Sequence, residues 1–117
     1  ELPPPAQAYS HMAEDGDYLF IAGLIASDIA GGAEIMGDAG REARAVLDGL
    51  ALILRARGVD LDAIVRTDLY LVDLADADAV DAAYRQAFGP APPPRSCVGV
   101  SALLGGARVE ITAIARL

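Results

Sequence analysis

The chain has 117 residues, 54% of them apolar, enough for one domain with a real core and too few for two. Seventeen carboxylates stand against nine arginines and no lysine, a net charge of −8. That balance disfavours nucleic-acid binding, which neutralises phosphates with clustered Lys and Arg, and it excludes a lysine Schiff base or a pyridoxal anchor.

One histidine (His11) and one cysteine (Cys97) cannot form an intramolecular disulfide or a zinc deaminase site of the His/Cys/Cys kind. A single cysteine suits a reducing compartment, so a cytoplasmic location is expected. No run approaches the roughly 18 to 20 uncharged apolar residues of a membrane helix. No Gly-rich phosphate loop is present. The opening ELPPPAQAYS lacks an initiator Met, and with neither a basic nor an apolar region it does not read as a secretory signal. There is no internal repeat, so residues 1–117 read as a single domain.

A short first strand is expected near Tyr9 to Met12. DYLFIAGLIASD (Asp17 to Asp28) is a β-rich run, apolar at nearly every position. Strands with one solvated face alternate; this one does not, so both faces should be covered. IAGGAEIMGDAG follows as loop. REARAVLDGLALILRARG then reads as a helix, with Ala43, Val46, Leu47, Leu50, Ile53 and Leu54 forming one apolar stripe and Gly58 following its end. VDLDAIVRTDLYLVDL predicts an Asp60-capped turn entering a strand from about Ile64 to Val72. Val65, Thr67, Leu69 and Leu71 should point one way, and Arg66, Asp68 and Tyr70 the other.

Asp76 can cap a second helix, where Val80, Ala83, Tyr84, Ala87 and Phe88 share a face before Gly89 and Pro90 end it. APPP is an extended linker. Two strands, RSCVGV and RVEITAIARL, close the chain across a Gly-containing loop. The order is β-β-α-β-α-β-β, an α+β fold with two helices packed on one sheet. Two helices cover only one face. The other, judged by Tyr18, Phe20 and Leu24, is apolar too, and burial against another subunit is the simplest remedy.

PPPRSCVGV delivers Arg95 to the start of a strand. If the last two strands make a hairpin, Ser101 faces Gly106, Gly99 faces Arg108, and Cys97 faces Glu110. Arg95, Cys97 and Glu110 would then share one sheet face, with Arg95 diagonal to Glu110 at roughly 7 Å between backbones. A slip of one residue would send Glu110 to the opposite face. Glu110 is the only charge between Val109 and Ala115. It either pairs with Arg108 or Arg95, as ion pairs at strand ends commonly do, or serves as a proton-transfer carboxylate beside a cationic clamp. His11 reads as a surface or packed residue. Cys97 has no second histidine to act as its base, so it contributes through position and backbone N–H.

PPPRSCVGV, the step from Arg95 to Glu110 in VEITAIA, the YSHM start and VRTDLYLVDLADADAVDAAYRQAF together resemble the RidA family of enamine/imine deaminases, also called the L-PSP endoribonuclease or translation-inhibitor family. The resemblance runs from about Tyr9 to Ala115. It implies a chorismate-mutase-like mixed sheet with two helices on one face, assembled as a homotrimer with sites in the clefts between subunits. It also implies hydrolytic deamination of 2-iminopropanoate or 2-iminobutanoate to 2-keto acid and ammonia, without metal or cofactor.

By position, Arg95 resembles the arginine that grips the substrate carboxylate, and Cys97 the residue whose N–H holds ligand or water. Glu110 resembles the glutamate that orients the hydrolytic water, and Tyr9 an aromatic lining the cleft. Two stretches depart from the family pattern. Ala22-Gly23-Leu24 stands where the family often has Ser-Gly-Gln, and Asp81 where it usually has Asn. An added carboxylate beside the cleft repels an anionic ligand unless it is protonated or paired. The chemistry is coherent without the resemblance. A C=N bond is already electrophilic, so positioning plus one proton-transfer group suffices for water addition and loss of ammonia. A binding module without turnover, or an endoribonuclease, are the competing readings.

Overall fold

The computed structural model describes residues 2–5 and 8–117. Strands β1 (Met12–Asp15) and β2 (Tyr18–Leu24), helix α1 (Ala39–Arg55), strand β3 (Ile64–Leu71), helix α2 (Ala77–Phe88) and strands β4 (Arg95–Gly99) and β5 (Val109–Arg116) follow in the expected order. The five strands form a mixed sheet in the spatial order β1-β2-β5-β3-β4, with β3 and β4 parallel and the other neighbours antiparallel. Both helices cover one face, making the α+β architecture expected.

The hairpin expected between the last two strands does not form. β4 lies parallel to β3, and β5 inserts between β2 and β3. Parallel neighbours need a long crossover, and α2 with its proline linker supplies it. The Thr67 N–H donates to the Pro94 carbonyl at 3.1 Å, setting the start of β4 beside the middle of β3. β5 has buried residues at every second position, Val109, Ile111, Ala113 and Ala115, so its alternation suits a central strand with one covered face.

The core lies between the helices and these β5 residues, with Leu19, Ile21 and Leu24 from β2 and Leu69 and Leu71 from β3. The α1 stripe is buried as expected, and Val80, Ala83 and Tyr84 anchor α2. α1 starts at Ala39, earlier than the sequence suggested, because Asp38 caps it by accepting from the Arg41 N–H at 3.1 Å. β1 runs from Met12, not from Tyr9.

Two irregularities overturn side-chain directions inferred from strict alternation. In β2 the register jumps between Ile21, opposite Ala113, and Leu24, opposite Ile111. The extra residue turns Leu24 into the core beside Leu19 and Ile21, away from the Tyr18 and Phe20 face. A similar shift between Ile64 and Arg66 buries Ile64 and leaves Val65 exposed. Asp76 does not cap α2 with its side chain. Its carboxylate instead takes Nε and Nη2 of Arg108, at 3.0 and 2.7 Å. Asp73 caps the lead-in turn by accepting from the Ala75 N–H.

The second sheet face is open in the single chain. Tyr18, Phe20 and Val98 on it are 39%, 44% and 45% exposed, apolar surface that no other described residue covers. Arg66, Asp68 and Ser96 form a hydrogen-bonded group on the same face. No helix among the described residues is long and apolar enough to cross a membrane.

Candidate active site

Glu110 lies opposite Tyr70 in the sheet, on the face that the helices leave open. Room for its carboxylate comes from the β2 bulge. A Cβ at Gly23 would stand 2.3 Å from Glu110 Oε2, so only glycine fits there without moving the acid. The Ala22 N–H donates to the His11 carbonyl at 2.7 Å, tying the bulge to the segment that precedes β1. Tyr9 stands edge-on to His11, with ring centres 5.8 Å apart. His11 is half-buried: Nε2 bonds the Pro3 carbonyl at 2.8 Å, and Nδ1 is buried without a partner among the described residues.

Partial burial pushes the Glu110 carboxyl above the usual carboxylate range, and the charge of Asp28 adds to the rise. Asp28 sits in the turn after β2, where Oδ2 accepts from the Ile25 N–H at 3.0 Å. The Tyr9 phenol is raised first by burial, then by Asp28 and Glu110. The charge of Asp28 thus reaches both Tyr9 and Glu110. A carboxyl whose ionised form is disfavoured is suited to taking and returning a proton.

Arg95 occupies a different place. It lies opposite Thr67, so its side chain points to the helix face. The guanidinium carbon stands 4.7 Å above the centre of the Tyr84 ring, and Nη2 donates to Asp81 Oδ1 at 2.5 Å. Tyr84 is fixed in turn, its hydroxyl donating to Thr67 Oγ1 at 3.2 Å. Pro92, Pro93 and Arg85 close a pocket of about 230 Å³ around Asp81, Tyr84 and Arg95.

Cys97 shares this side of β4, at the sheet's edge, with an exposed thiol. The Pro94 carbonyl and the Val100 N–H both point to β3. Backbone groups alternate along a strand, so the N–H groups of Arg95 and Cys97 point to the free edge. That is where a ligand or water could use them.

The structure thus corrects the expectation that Arg95, Cys97 and Glu110 share a face. Arg95 and Cys97 belong with Thr67 and Leu69 on the helix side; Glu110 belongs with Tyr70 on the open side. Two strand spacings and three residues along the strand separate the Arg95 and Glu110 backbones, roughly 14 Å, rather than a diagonal contact. Neither arginine pairs with Glu110. Arg108 is taken by Asp76 and Arg95 by Asp81, and Glu110 has no ion pair among the described residues.

Of the other expected site residues, Tyr9 and Ala22 gather near Glu110, and Asp81 joins Arg95. Leu24 is buried in the core and offers nothing to either group. Sequence reasoning missed Asp28, whose position after an irregular turn gives no periodic signal. It also took Tyr84 for core alone, although the spacing from Asp81 to Tyr84 places both on one helix face.

The sequence matches the Endoribonuclease L-PSP family along residues 1–117. A RutC family protein of Pyrococcus horikoshii is 36% identical over 113 residues, covering 97% of this chain and 90% of that protein. The 2-iminobutanoate/2-iminopropanoate deaminase of Mus musculus is 34% identical over 115 residues, covering 98% and 85%. The crystal structure of RidA from an Antarctic Psychrobacter superposes with a TM-score of 0.88 at 26% identity, covering 98% and 93%. The chain belongs to the Endoribonuclease L-PSP family, the family of RidA.

Proposed function

We propose that the protein hydrolyses reactive enamines and imines of the 2-iminoalkanoate class, such as 2-iminopropanoate and 2-iminobutanoate, to 2-keto acids and ammonia. The observation that carries this reading is Glu110: a carboxyl with no ion pair among the described residues, raised by burial and seated in the hollow that Gly23 leaves. The activity named for the mouse relative supports it.

In the proposed reaction Glu110 takes a proton from water as the oxygen adds to the C=N carbon. Glu110 returns that proton to the nitrogen, completing the carbinolamine, then takes the carbinolamine hydroxyl proton and passes it to the same nitrogen, so that the C–N bond breaks and ammonia leaves as the C=O bond forms. Arg95 holds the substrate carboxylate, and the Cys97 N–H fixes a ligand oxygen or water. One small molecule cannot span roughly 14 Å, so Arg95 and Glu110 act on it from different copies, in a homotrimer whose clefts join the open face of one chain to the β4 edge of the next. The steps require neither metal nor organic cofactor. The expected setting is the cytoplasm.

A binding module without turnover is the second reading, favoured by the Asp81 carboxylate on Arg95 and by a methyl group at Ala22. The endoribonuclease reading carried by the family's description is disfavoured by the net charge of −8 and the absence of lysine.

The test is to generate 2-iminopropanoate and 2-iminobutanoate in situ and follow ammonia or keto acid. Turnover by the parent and its loss in Glu110→Gln are expected. Binding of 2-oxobutanoate without any imine hydrolysis would favour the binding module.

A further inference from the structure

Asp81 and Tyr84 lie one turn apart on α2 and both face the start of β4. Arg95 meets them as a clamp would meet a ligand: its guanidinium carbon over the aromatic ring and one N–H on a carboxylate oxygen. Both charged side chains are partly withdrawn from water, Arg95 being 24% and Asp81 30% exposed. Asp81 therefore occupies the position, relative to Arg95, that a substrate carboxylate needs. A ligand carboxylate arriving at the same guanidinium would place two negative charges on one positive charge. The other cation lining the pocket, Arg85, is an exposed residue with no described bond to the pair.

We propose that Asp81 is a specificity-determining residue: an internal carboxylate that competes for Arg95 and shifts the site's preference from monocarboxylate imines toward imines whose Arg95-facing group is a neutral acceptor, an amide or ester carbonyl. A neutral carbonyl can accept one of the N–H groups that Asp81 leaves available, since the guanidinium carries five, without bringing a second charge. A carboxylate must displace Asp81 or share the guanidinium with it, against like-charge repulsion. The inference rests on the reading above that Arg95 faces the substrate, and it shifts the preference of that site from the 2-iminoalkanoates toward their neutral counterparts.

The experiment titrates the parent and Asp81→Asn with 2-oxobutanoate and with 2-oxobutanamide by calorimetry, with thermal unfolding to confirm that each variant is folded. Asp81→Ser is the second variant. It removes the charge and is too short to imitate the Asp81–Arg95 bond. Both variants are expected to bind 2-oxobutanoate at least about tenfold more tightly than the parent, with 2-oxobutanamide changed by less than about threefold.

Unchanged or weaker keto-acid binding would overturn the proposal, because Asp81 would then merely position Arg95. Equal tightening for acid and amide, or no keto-acid binding by any of the proteins, overturns it too. Imine turnover measured alongside separates the two readings. Charge-selective tightening with no hydrolysis leaves this inference standing while the hydrolase reading falls; hydrolysis without the selectivity does the reverse.

Discussion

Arg95 and Glu110 project from opposite faces of one sheet, with β3 lying between their strands. Each is supported by its own group of residues: Asp81, Tyr84 and Pro92–Pro93 around Arg95, and Tyr9, Gly23 and Asp28 around Glu110. On the proposed function, these two half-sites would make one whole site only where copies meet.

That arrangement makes complementation between variants the direct test. Arg95→Ala and Glu110→Gln are each expected to lose at least about tenfold in kcat/KM. Unfolded together and refolded at equal ratio, they should recover about a quarter of the parental turnover, since a quarter of randomly assembled clefts would combine an intact Arg95 with an intact Glu110. Failure to recover any activity, with mixed oligomers demonstrated, would mean that the two residues do not serve one cleft. Arg95→Lys should rescue only part of the loss, because an ammonium cannot reproduce the fork.

Gly23 offers a second test, with a built-in comparison. In Gly23→Ala the new methyl would stand 2.3 Å from Glu110 Oε2 and 2.7 Å from its carboxyl carbon. The flexible Glu110 side chain can yield, so stability should fall by no more than about 1 to 3 kcal/mol. Turnover should fall by about 100-fold, because a displacement near 1 Å is enough to misplace a proton-transfer group. Gly32→Ala should behave oppositely. Its methyl would meet the Ala26 backbone carbonyl at 1.7 Å, and backbone cannot swing aside, so folding itself should fail. Full activity in Gly23→Ala would remove Glu110 from the mechanism.

How much of this was legible in the sequence depended on whether the signal was local. The two helices and strands β2 to β5 were legible from local composition and periodicity, while the first strand lies later in the chain than read. Asp60 caps its turn as read, accepting from the Leu61 N–H at 2.7 Å. The partner of β4 was not local information. A Gly-containing loop between RSCVGV and RVEITAIARL looks like a hairpin turn, yet a helix and a proline linker between β3 and β4 equally suit a parallel crossover. That choice alone moved Glu110 to the other face from Arg95. The bulges at Ala22-Gly23 and after Ile64 each inverted a direction inferred from alternation. Ion pairing was the least legible. Asp76 reads as a cap and Asp81 as a cleft residue, and only the packing of α2 against β4 and the start of β5 shows that they neutralise Arg108 and Arg95.

The raised Glu110 carboxyl sets a pH dependence with a definite sign. Its causes are burial first and the Asp28 charge second. The folded chain holds this proton more tightly than the unfolded chain does. Stability therefore falls as pH rises from the ordinary glutamate value up to the raised one, and levels off above it. Glu110→Gln removes this loss, so its stability relative to the parent should grow with pH across that window. On the proposed mechanism turnover requires the ionised acid, so its acid limb should lie above an ordinary glutamate. Asp28→Asn should move the limb downward by less than the whole shift, because burial remains. A limb that does not move, measured on kcat/KM, would show that Asp28 has no influence on the reacting group.

The last test concerns Glu42, which periodicity could not single out because it sits in the first turn of α1 among helix formers. It is wholly buried. Oε2 accepts from the Gly37 N–H at 2.7 Å, and Oε1 accepts from the Arg108 N–H at 2.9 Å. A buried carboxylate is tolerated at a helix N-terminus when backbone donors satisfy it. Here they also join three parts of the chain: the loop after β2, the start of α1 and the entry to β5. Glu42→Ala leaves both N–H groups without their acceptor, an expected loss of about 2 to 4 kcal/mol. Glu42→Gln keeps one carbonyl acceptor and should lose about half as much. The measurement is denaturant unfolding, with the midpoint falling in that order and the slope unchanged. If Glu42→Ala unfolds within about 0.5 kcal/mol of the parent, the usual range for surface substitutions, then water replaces the carboxylate and Glu42 does not pin β5.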